Sequence, residues 1–271
     1  MQLKNMVLVS DLDGTLVPNS GVISEANIAA VNRFRNAGGR FAVATGRAPY
    51  SAAKYLEALS VSSPVILDNG ALIYDPVQDL ELWHHPLPSD FRMILEEIYD
   101  RHPHIGIVAI SADNLAYFIA GPHVMKLVAE MEGKDVSFVT IDKIPDNCVK
   151  ILFRIEEEEI DRIADDIRGR RFPNVGFTKS GPLYFEMLAD GVSKGEALSH
   201  LAELYHTDLT HVVSIGDYYN DIEMIRRAGL GVTLESAPDA LKEAADMVVA
   251  GCDDNGVTEL IDYLLENSDR T

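Results

Sequence analysis

The chain has 271 residues, of which 47% are hydrophobic, and it carries a formal net charge of −20 at pH 7. This length allows one large domain or two moderate ones, and the composition is that of a globular protein. The negative charge argues against nucleic acid and anionic membranes as partners, because no basic patch is present to neutralise phosphates. No apolar stretch approaches the ~20 residues that span a bilayer.

The apolar run at residues 6–9 is too short for a signal-peptide core and is predicted to be a buried strand. Cys148 and Cys252 lack the spacing of a metal or redox motif and are interpreted as reduced thiols. These features predict a cytoplasmic protein. We expect a monomer or a weak homo-oligomer.

In the first and last parts of the chain, short apolar runs alternate with helical patterns. Ser24 is a predicted N-cap, and Gly38 with Gly39 ends the helix that follows. Strands are predicted at residues 6–10, 40–44, 65–67, 211–215, 230–232 and 247–250, and helices at 25–37, 49–59, 194–205, 221–228, 238–245 and up to 265. Apolar strands separated by helices indicate an α/β fold with a doubly wound parallel sheet. In such sheets, sites form at the carboxyl ends of the strands.

Residues 83–186 show a different pattern, in which a helix precedes two strands and the same order then returns. Residues 101–107 resemble residues 171–177, although so short a match also arises by chance. Composition shifts at about 84–89 and 189–192 indicate two crossings between domains. We therefore predict an α+β domain at 84–188, inserted into a core domain formed by 1–83 and 189–271.

Asp11 and Asp13 follow the first predicted strand and point the same way, while Leu12 turns back into the core. Two neighbouring carboxylates repel each other, so the pair favours a bound cation or a shared proton. Gly14 permits a tight turn and close approach by an anion. The alternative is a solvated Asp-Gly turn without a function.

Other polar residues follow strands or begin helices in the same way. Thr45, Gly46 and Arg47 follow the second strand and offer a hydroxyl, a bare amide and a guanidinium to a phosphate. Lys194 begins a helix, where a cation opposes the helix dipole unless it faces an anion. A surface lysine is the simpler alternative.

The strand at 211–215 is followed by two acids and an amide: Asp217, Asn220 and Asp221. Helix capping accounts for Asn220 and Asp221 but hardly for Asp217. Convergence of all these groups at one edge of the sheet is the better interpretation.

These segments resemble, in order, the four motifs of the haloacid dehalogenase superfamily of phosphotransferases. The match consists of residues 11–15, Thr45, Lys194, and Asp217 with Asp221. The resemblance spans nearly the whole chain. It implies a Rossmann-like doubly wound parallel sheet core with an inserted α+β cap domain.

Two further segments, Asn69 with Gly70 and residues 192–198, resemble the Cof-type subfamily. Tyr218 and Tyr219 depart from the pattern, since relatives often carry a small residue there. Two rings at this point would narrow the entrance to the site.

The resemblance implies a Mg²⁺-dependent phosphatase of small phosphorylated metabolites. Asp11 would be the nucleophile that forms an aspartyl-phosphate, and Asp13 would act as acid and then as base. Asp11, the backbone carbonyl of Asp13, and Asp217 would hold Mg²⁺. Asp221 would orient Lys194 or lie behind the direct metal ligands. The residues implied to bind the substrate, mostly at its phosphoryl group, are Thr45, Gly46, Arg47, Asn69, Lys194 and Asn220.

The inserted domain would act as a cap that excludes water and contacts the leaving group. His123 and Lys179 are candidate contacts, and solvated surface positions are the alternative for both. Two other functions stay open: a phosphomutase or phosphotransferase on the same scaffold, and a non-enzymatic phospho-acceptor or binding module. The sequence leaves the substrate open among sugar phosphates, phosphorylated cofactors and small phospho-acids.

Overall fold

The computed structural model describes residues 3–119, 121, 123–130 and 137–268. The chain divides into two compact units. Unit 1 is formed by Met1–Trp83 with Ser193–Thr271, and unit 2 is formed by His84–Val192. The sequence interpretation had the inserted domain end at residue 188, four residues before the end of unit 2.

The strands of the described residues are β1 Val7–Ser10, β2 Arg40–Val43, β3 Val65–Leu67, β4 Leu72–Asp75, β5 Leu80–His84, β6 Gly106–Ser111, β7 Ala116–Ile119, β8 Ser137–Val139, β9 Cys148–Arg154, β10 Val175–Lys179, β11 Tyr184–Ala189, β12 Val212–Gly216, β13 Leu230–Leu234 and β14 Met247–Val249. The helices there are α1 Glu25–Asn36, α2 Pro49–Ala58, α3 Phe91–Arg101, α4 Val124–Glu130, α5 Glu157–Gly169, α6 Lys194–Leu204, α7 Ile222–Arg227, α8 Asp239–Lys242 and α9 Gly256–Asn267. Within these described ranges, none of the helices has the length and apolar character needed to cross a membrane.

The central sheet of unit 1 has the strand order β14-β13-β12-β1-β2, and all of these neighbours pair in parallel. β1 is buried along its whole length, as expected for a strand that is covered on both faces. Because the strands are parallel, their carboxyl ends meet at one edge, where Ser10 pairs with both Val43 and Ile215. The predicted α/β class with a parallel sheet is confirmed.

Helices cover both faces of this sheet. Leu8 of β1 packs in one core with α1, α2 and α9, whereas its neighbours Val7 and Val9 lie in a second core with α6, α7 and α8. This alternation follows from the two-residue period of a strand. The predicted doubly wound arrangement is therefore confirmed.

Unit 1 also contains a small sheet that is absent from the sequence-based prediction. It has the order β3-β4-β5, and β3 is attached to the end of β2 by a parallel bridge between Ala44 and Ile66. The pattern of apolar residues does not indicate β5, because none of its residues is fully buried and the strand therefore has no continuous apolar run. The bridge brings the loop after β3 next to the loop after β2.

The sheet of unit 2 has the order β10-β11-β9-β6-β7-β8. β9 lies between two antiparallel hairpins, β6-β7 and β10-β11. Each hairpin follows a helix, α3 or α5, which is the helix–strand–strand order predicted for both copies of the repeat. Both helices pack in one core with the sheet.

Candidate active site

The predicted site segments begin at the carboxyl edge of the unit 1 sheet. Asp11 directly follows β1, Asp217 directly follows β12, and Thr45 lies two residues beyond β2. The backbone N–H of Asp11 donates to the carbonyl of Ile215 at 2.9 Å, so β1 stays bound to β12 beyond its last residue. Asp11 is only 5% exposed. The sheet register thus buries this carboxylate beside the end of β12.

Lys194 begins α6, and Ser193 caps that helix by accepting a hydrogen bond from the backbone N–H of Glu196 at 3.1 Å. Nζ of Lys194 donates to Oδ1 of Asp11 at 2.6 Å and to Oδ1 of Asp221 at 2.7 Å. Burial by itself lowers the pKa of Lys194, but the charges of the two carboxylates outweigh burial and raise that pKa above its ordinary value. The buried ammonium therefore stays charged.

Asp221 uses both of its oxygens inside the protein. Oδ1 accepts from Lys194, and Oδ2 accepts from the backbone N–H groups of Asp217 and Tyr218, each at 3.0 Å. Asp221 is fully buried. These bonds favour the first of its two predicted roles, which is to orient Lys194, and they also fix the turn after β12.

Oxygens of Asp11, Asp217 and Asp221 lie within 4.8 Å of one another. Burial, with a smaller contribution from the charge of Asp221, raises the pKa of Asp217 to about 7. Burial also raises the pKa of Asp11 well above its ordinary value, although the ammonium of Lys194 opposes the shift. A bound proton or a cation relieves this repulsion.

The donor set fits Mg²⁺, which prefers carboxylate and carbonyl oxygens. Thr15 orients Asp217, because its Oγ1 donates to Oδ1 of Asp217 at 2.7 Å. Gly14 has a φ of 83°, and a Cβ there would overlap the carboxylate of Asp217, so only glycine leaves that carboxylate in place. Both oxygens of Asp221 already accept hydrogen bonds from the protein, so Asp11 and Asp217 are the side chains best placed to be ligands. The carbonyl of Asp13 stays a prediction as a third ligand.

Asp13 and Arg47 form an ion pair across neighbouring strand ends. Nε of Arg47 donates to Oδ2 at 2.7 Å and Nη2 donates to Oδ1 at 2.6 Å, which is the two-pronged geometry of a strong arginine–carboxylate pair. The guanidinium also lies 4.8 Å from the ring centroid of Tyr55. The sequence reading assigned Arg47 to the substrate and did not include this pair. The adjacency of β1 and β2 was the signal that could have indicated it.

The other predicted phosphate-binding residues meet at the same edge. Thr45 is fully buried, and its backbone carbonyl accepts a hydrogen bond from the N–H of Asn69 at 3.0 Å. A Cβ on Gly46 would lie 3.0 Å from Nδ2 of Asn69. Nδ2 of Asn220 donates to Oδ1 of Asn69 at 2.8 Å. Asn69 has a φ of 56°, a left-handed conformation that asparagine tolerates better than most residues. Its contacts with Thr45 and Asn220 connect the loop after β2 with the loop after β12.

Tyr218 and Tyr219, the departure from the family pattern, pack edge to face with ring centroids 5.1 Å apart. Tyr219 is 46% exposed.

In unit 2, Nδ1 of His123 lies 3.2 Å from Glu156, and Nζ of Lys179 lies 2.7 Å from Asp161. Both candidate residues therefore contact a carboxylate within unit 2.

A family model described as haloacid dehalogenase-like hydrolase matches residues 8–261. The Bacillus subtilis 5-amino-6-(5-phospho-D-ribitylamino)uracil phosphatase YwtE is 28% identical over 94% of this chain and 96% of its own. Phosphatase YwpJ from the same organism is 27% identical over 96% of this chain and 99% of its own. A crystal structure of a haloacid dehalogenase-like hydrolase from Bacteroides thetaiotaomicron has a TM-score of 0.81 at 25% identity, covering 96% of this chain and 99% of that one.

The family match spans nearly the whole chain, the relatives are named phosphatases, and the fold is shared over both lengths. The recognition from the order of the motifs is therefore confirmed. The chain belongs to the haloacid dehalogenase-like hydrolase family and is an enzyme of the phosphatase type.

Proposed function

We propose that this protein is a Mg²⁺-dependent phosphatase that hydrolyses small phosphorylated metabolites through an aspartyl-phosphate on Asp11. The observation that carries the proposal is the buried contact of 2.6 Å between Nζ of Lys194 and Oδ1 of Asp11. It holds one oxygen of the nucleophile in place and supplies a cation where an anionic phosphate must approach. Asp217 lies at the same edge of the sheet.

In the first step, a carboxylate oxygen of Asp11 attacks phosphorus as the bond from phosphorus to the leaving oxygen breaks. Asp13 protonates that leaving oxygen, so an alcohol departs. In the second step Asp13 takes a proton from water, the water oxygen attacks phosphorus, and the bond to Asp11 breaks. Inorganic phosphate leaves, and Asp11 and Asp13 return to their starting states.

Asp13 is half exposed, which suits a group that exchanges protons with both an alcohol and water. Both oxygens of Asp13 accept hydrogen bonds from Arg47, so Asp13 must leave the guanidinium and take up a proton from solvent before it can protonate the leaving oxygen. An arriving phosphate dianion competes for the same guanidinium. Arg47 would then bind the substrate, as the sequence predicts.

Asp11 and Asp217, with the carbonyl of Asp13, would hold Mg²⁺. When bound, Mg²⁺ would neutralise negative charge on the phosphoryl group and on Asp11. Lys194, Thr45, the Gly46 amide and Asn220 would donate to the phosphoryl oxygens. Their charge-assisted bonds would stabilise the transition state.

Asn69 supports this arrangement by holding Asn220 through their amide contact of 2.8 Å. The remaining oxygen of Asn220, Oδ1, is buried without a partner among the described residues. A swap of the amide oxygen and nitrogen in both Asn220 and Asn69 would keep their contact and would place a donor of Asn220 where its unpartnered oxygen now lies.

Unit 2 is proposed to be the cap, the domain that determines substrate specificity. Its independent core and its place between the second and third motifs support this role. The substrate class rests on the relatives, of which YwtE is named a phosphatase of a phosphoribityl-aminouracil and YwpJ only a phosphatase. We therefore propose a phosphate monoester on a metabolite-sized leaving group. A cytoplasmic monomer or weak homo-oligomer stays a prediction.

The test is phosphate release from a panel of phosphorylated metabolites and p-nitrophenyl phosphate, with Mg²⁺ or with a chelator. Asp11→Asn is the inactive control. Mg²⁺-dependent release that is lost in Asp11→Asn supports the proposal, and the ranking of the panel identifies the leaving group. If phosphate is transferred to added sugars without matching release, the phosphotransferase alternative is correct. If folded protein releases none from any compound, the phosphatase proposal is wrong.

A further inference from the structure

Unit 1 contains a concave surface of about 540 Å³, away from the catalytic residues, whose lining includes Lys4, Arg40, Tyr205, His206, Asp208 and His211. We call this surface the basic pocket. Its volume lies within the range of about 300–1,000 Å³ that is typical of small-molecule sites. None of these residues belongs to the predicted catalytic motifs.

The basic pocket lies at the edge of the sheet opposite to the catalytic site. Val7 and Arg40 also line it; they are the first residues of β1 and β2 and pair with each other in the sheet. His211 directly precedes β12. Asp11 lies four residues along the chain from Val7, a distance of about 13 Å for an extended strand. An anion in the basic pocket is therefore out of reach of the nucleophile.

The charge of this lining is opposite to that of the protein as a whole. Lys4 and Arg40 are cations, and His206 and His211 become cations on protonation, whereas Asp208 is the one acid of the lining. The whole chain carries a net charge of −20. Asp208 is already engaged, because it accepts from the N–H of Thr210 at 3.0 Å and lies 3.2 Å from Nδ1 of His211.

The cations of the basic pocket retain donors for a ligand. Arg40 is anchored, since Nη1 donates to the carbonyl of Tyr205 at 2.8 Å and the guanidinium lies 5.6 Å from the centroid of the Tyr205 ring. The other N–H groups of its guanidinium have no partner among the described residues. Lys4 and His206 likewise make no side-chain hydrogen bond or ion pair within those residues, although both are exposed. A guanidinium, an ammonium and two imidazoles around one cavity match the chemistry of a phosphate dianion.

We propose that the basic pocket binds a small phosphate-bearing anion, at a site separate from the catalytic one. Its ligand is inorganic phosphate or a phosphorylated metabolite, which share the recognised dianion. Its concave shape suits a small molecule. This inference does not depend on the proposed function, because none of its residues takes part in catalysis.

The test is an NMR titration of the full-length protein with inorganic phosphate, read at the ring signals of His206 and His211. Single His→Gln variants assign these signals. Wild-type protein should show saturable shifts of both rings, and Asp11→Asn should show the same shifts because the catalytic site is not involved. The double variant Lys4→Gln/Arg40→Gln should bind phosphate at least about tenfold more weakly. The double variant Arg33→Gln/Lys143→Gln, which removes equal charge elsewhere, should bind as the wild type does.

The two possible ligands are distinguished in the Asp11→Asn background, where phosphate monoesters are not turned over. Tighter binding of a monoester than of phosphate indicates a metabolite site, and tighter binding of phosphate indicates a site for the free ion. The proposal is wrong if no shift saturates, if sodium chloride of equal ionic strength produces the same shifts, or if the Lys4/Arg40 variant binds phosphate as the wild type does.

Discussion

Lys194 and Asp11 are 183 residues apart in the sequence, yet Nζ of Lys194 lies 2.6 Å from Oδ1 of Asp11 in a site where both side chains are buried. The contact joins the two segments of unit 1 that flank unit 2. A buried ion pair is costly to break, because the remaining charge loses its partner without gaining water. The pair therefore couples the folding of the two segments to the assembly of the catalytic site.

Loss of the Lys194 ammonium should lower kcat strongly without abolishing it. A single preorganised donor of this type contributes about 3 kcal/mol, so Lys194→Ala should lose about 100-fold or more in kcat. Asp11→Asn removes the nucleophile and should show no turnover above background. The control is Lys143→Ala, whose side chain is 73% exposed. Near-normal turnover of Lys194→Ala in steady-state kinetics would contradict the assigned role.

Metal-free protein should become less stable as the pH rises from about 4 to about 7. The pKa of Asp217 is about 7 in the folded protein, against an ordinary value of 3.8, so the folded state retains a proton that the unfolded state releases in this window. The melting temperature with a chelator should therefore be higher at pH 6 than at pH 8. Saturating Mg²⁺ should reduce this difference, since the metal replaces the proton, and Asp217→Asn should reduce it without metal. If the melting temperature of Asp217→Asn falls between pH 6 and pH 8 as much as that of the wild type, the raised pKa is wrongly assigned to Asp217.

Gly195 should be irreplaceable because α6 approaches α7 closely there. A Cβ at position 195 would lie 2.6 Å from the backbone carbon of Glu223. Gly195→Ala should push the start of α6 away from α7, lower the melting temperature, and displace Lys194 so that kcat falls. Gly169→Ala, at the end of α5, meets no atom within 4 Å and should leave both quantities nearly unchanged. Equal behaviour of the two variants would argue against this packing constraint.

Arg47 should contribute through the geometry of its guanidinium as well as its charge. Arg47→Gln removes the partner of Asp13 and a donor for the phosphate, so kcat/KM should fall by about tenfold or more. Arg47→Lys keeps the charge without the planar fork and should recover only part of the loss. The control is Arg33→Gln, which removes a half-exposed arginine paired with Asp262. A wild-type kcat/KM in Arg47→Gln would mean that neither the pair with Asp13 nor the donor for the phosphate contributes to catalysis.

The alternation of apolar strands and helices was enough to predict the parallel sheet, and with it the edge at which Asp11, Thr45 and Asp217 meet. The start of α6 at Lys194 was predictable because Ser193 is a good N-cap residue. The place of Lys194 in the site was predictable because a cation at a helix start is unfavourable unless it faces an anion. Side-chain partners across loops were not predictable. The bond between Asn220 and Asn69 depends on a left-handed residue and on the bridge between Ala44 and Ile66, neither of which leaves a periodic signal.

The basic pocket was not predicted from the sequence, for a related reason. Its cations are far apart in the chain and come together only through the register that pairs Val7 with Arg40. The net charge of −20 gave no indication of the pocket either, because the charge of the whole chain does not show a local excess of cations. The small β3-β4-β5 sheet was missed because β5 is too exposed to give an apolar run.

The central claim is that Asp11 carries the phosphoryl group, and trapping that group tests it most directly. Protein mixed with a turned-over substrate is quenched within milliseconds and treated with borohydride, which reduces an acyl phosphate to an alcohol. Peptide mass spectrometry should then find homoserine at position 11. The amount should be larger for Asp13→Asn when the substrate is p-nitrophenyl phosphate, because its leaving group needs no acid and only the second step of this variant is impaired. An unmodified Asp11 during turnover, or label at another residue, would contradict the account.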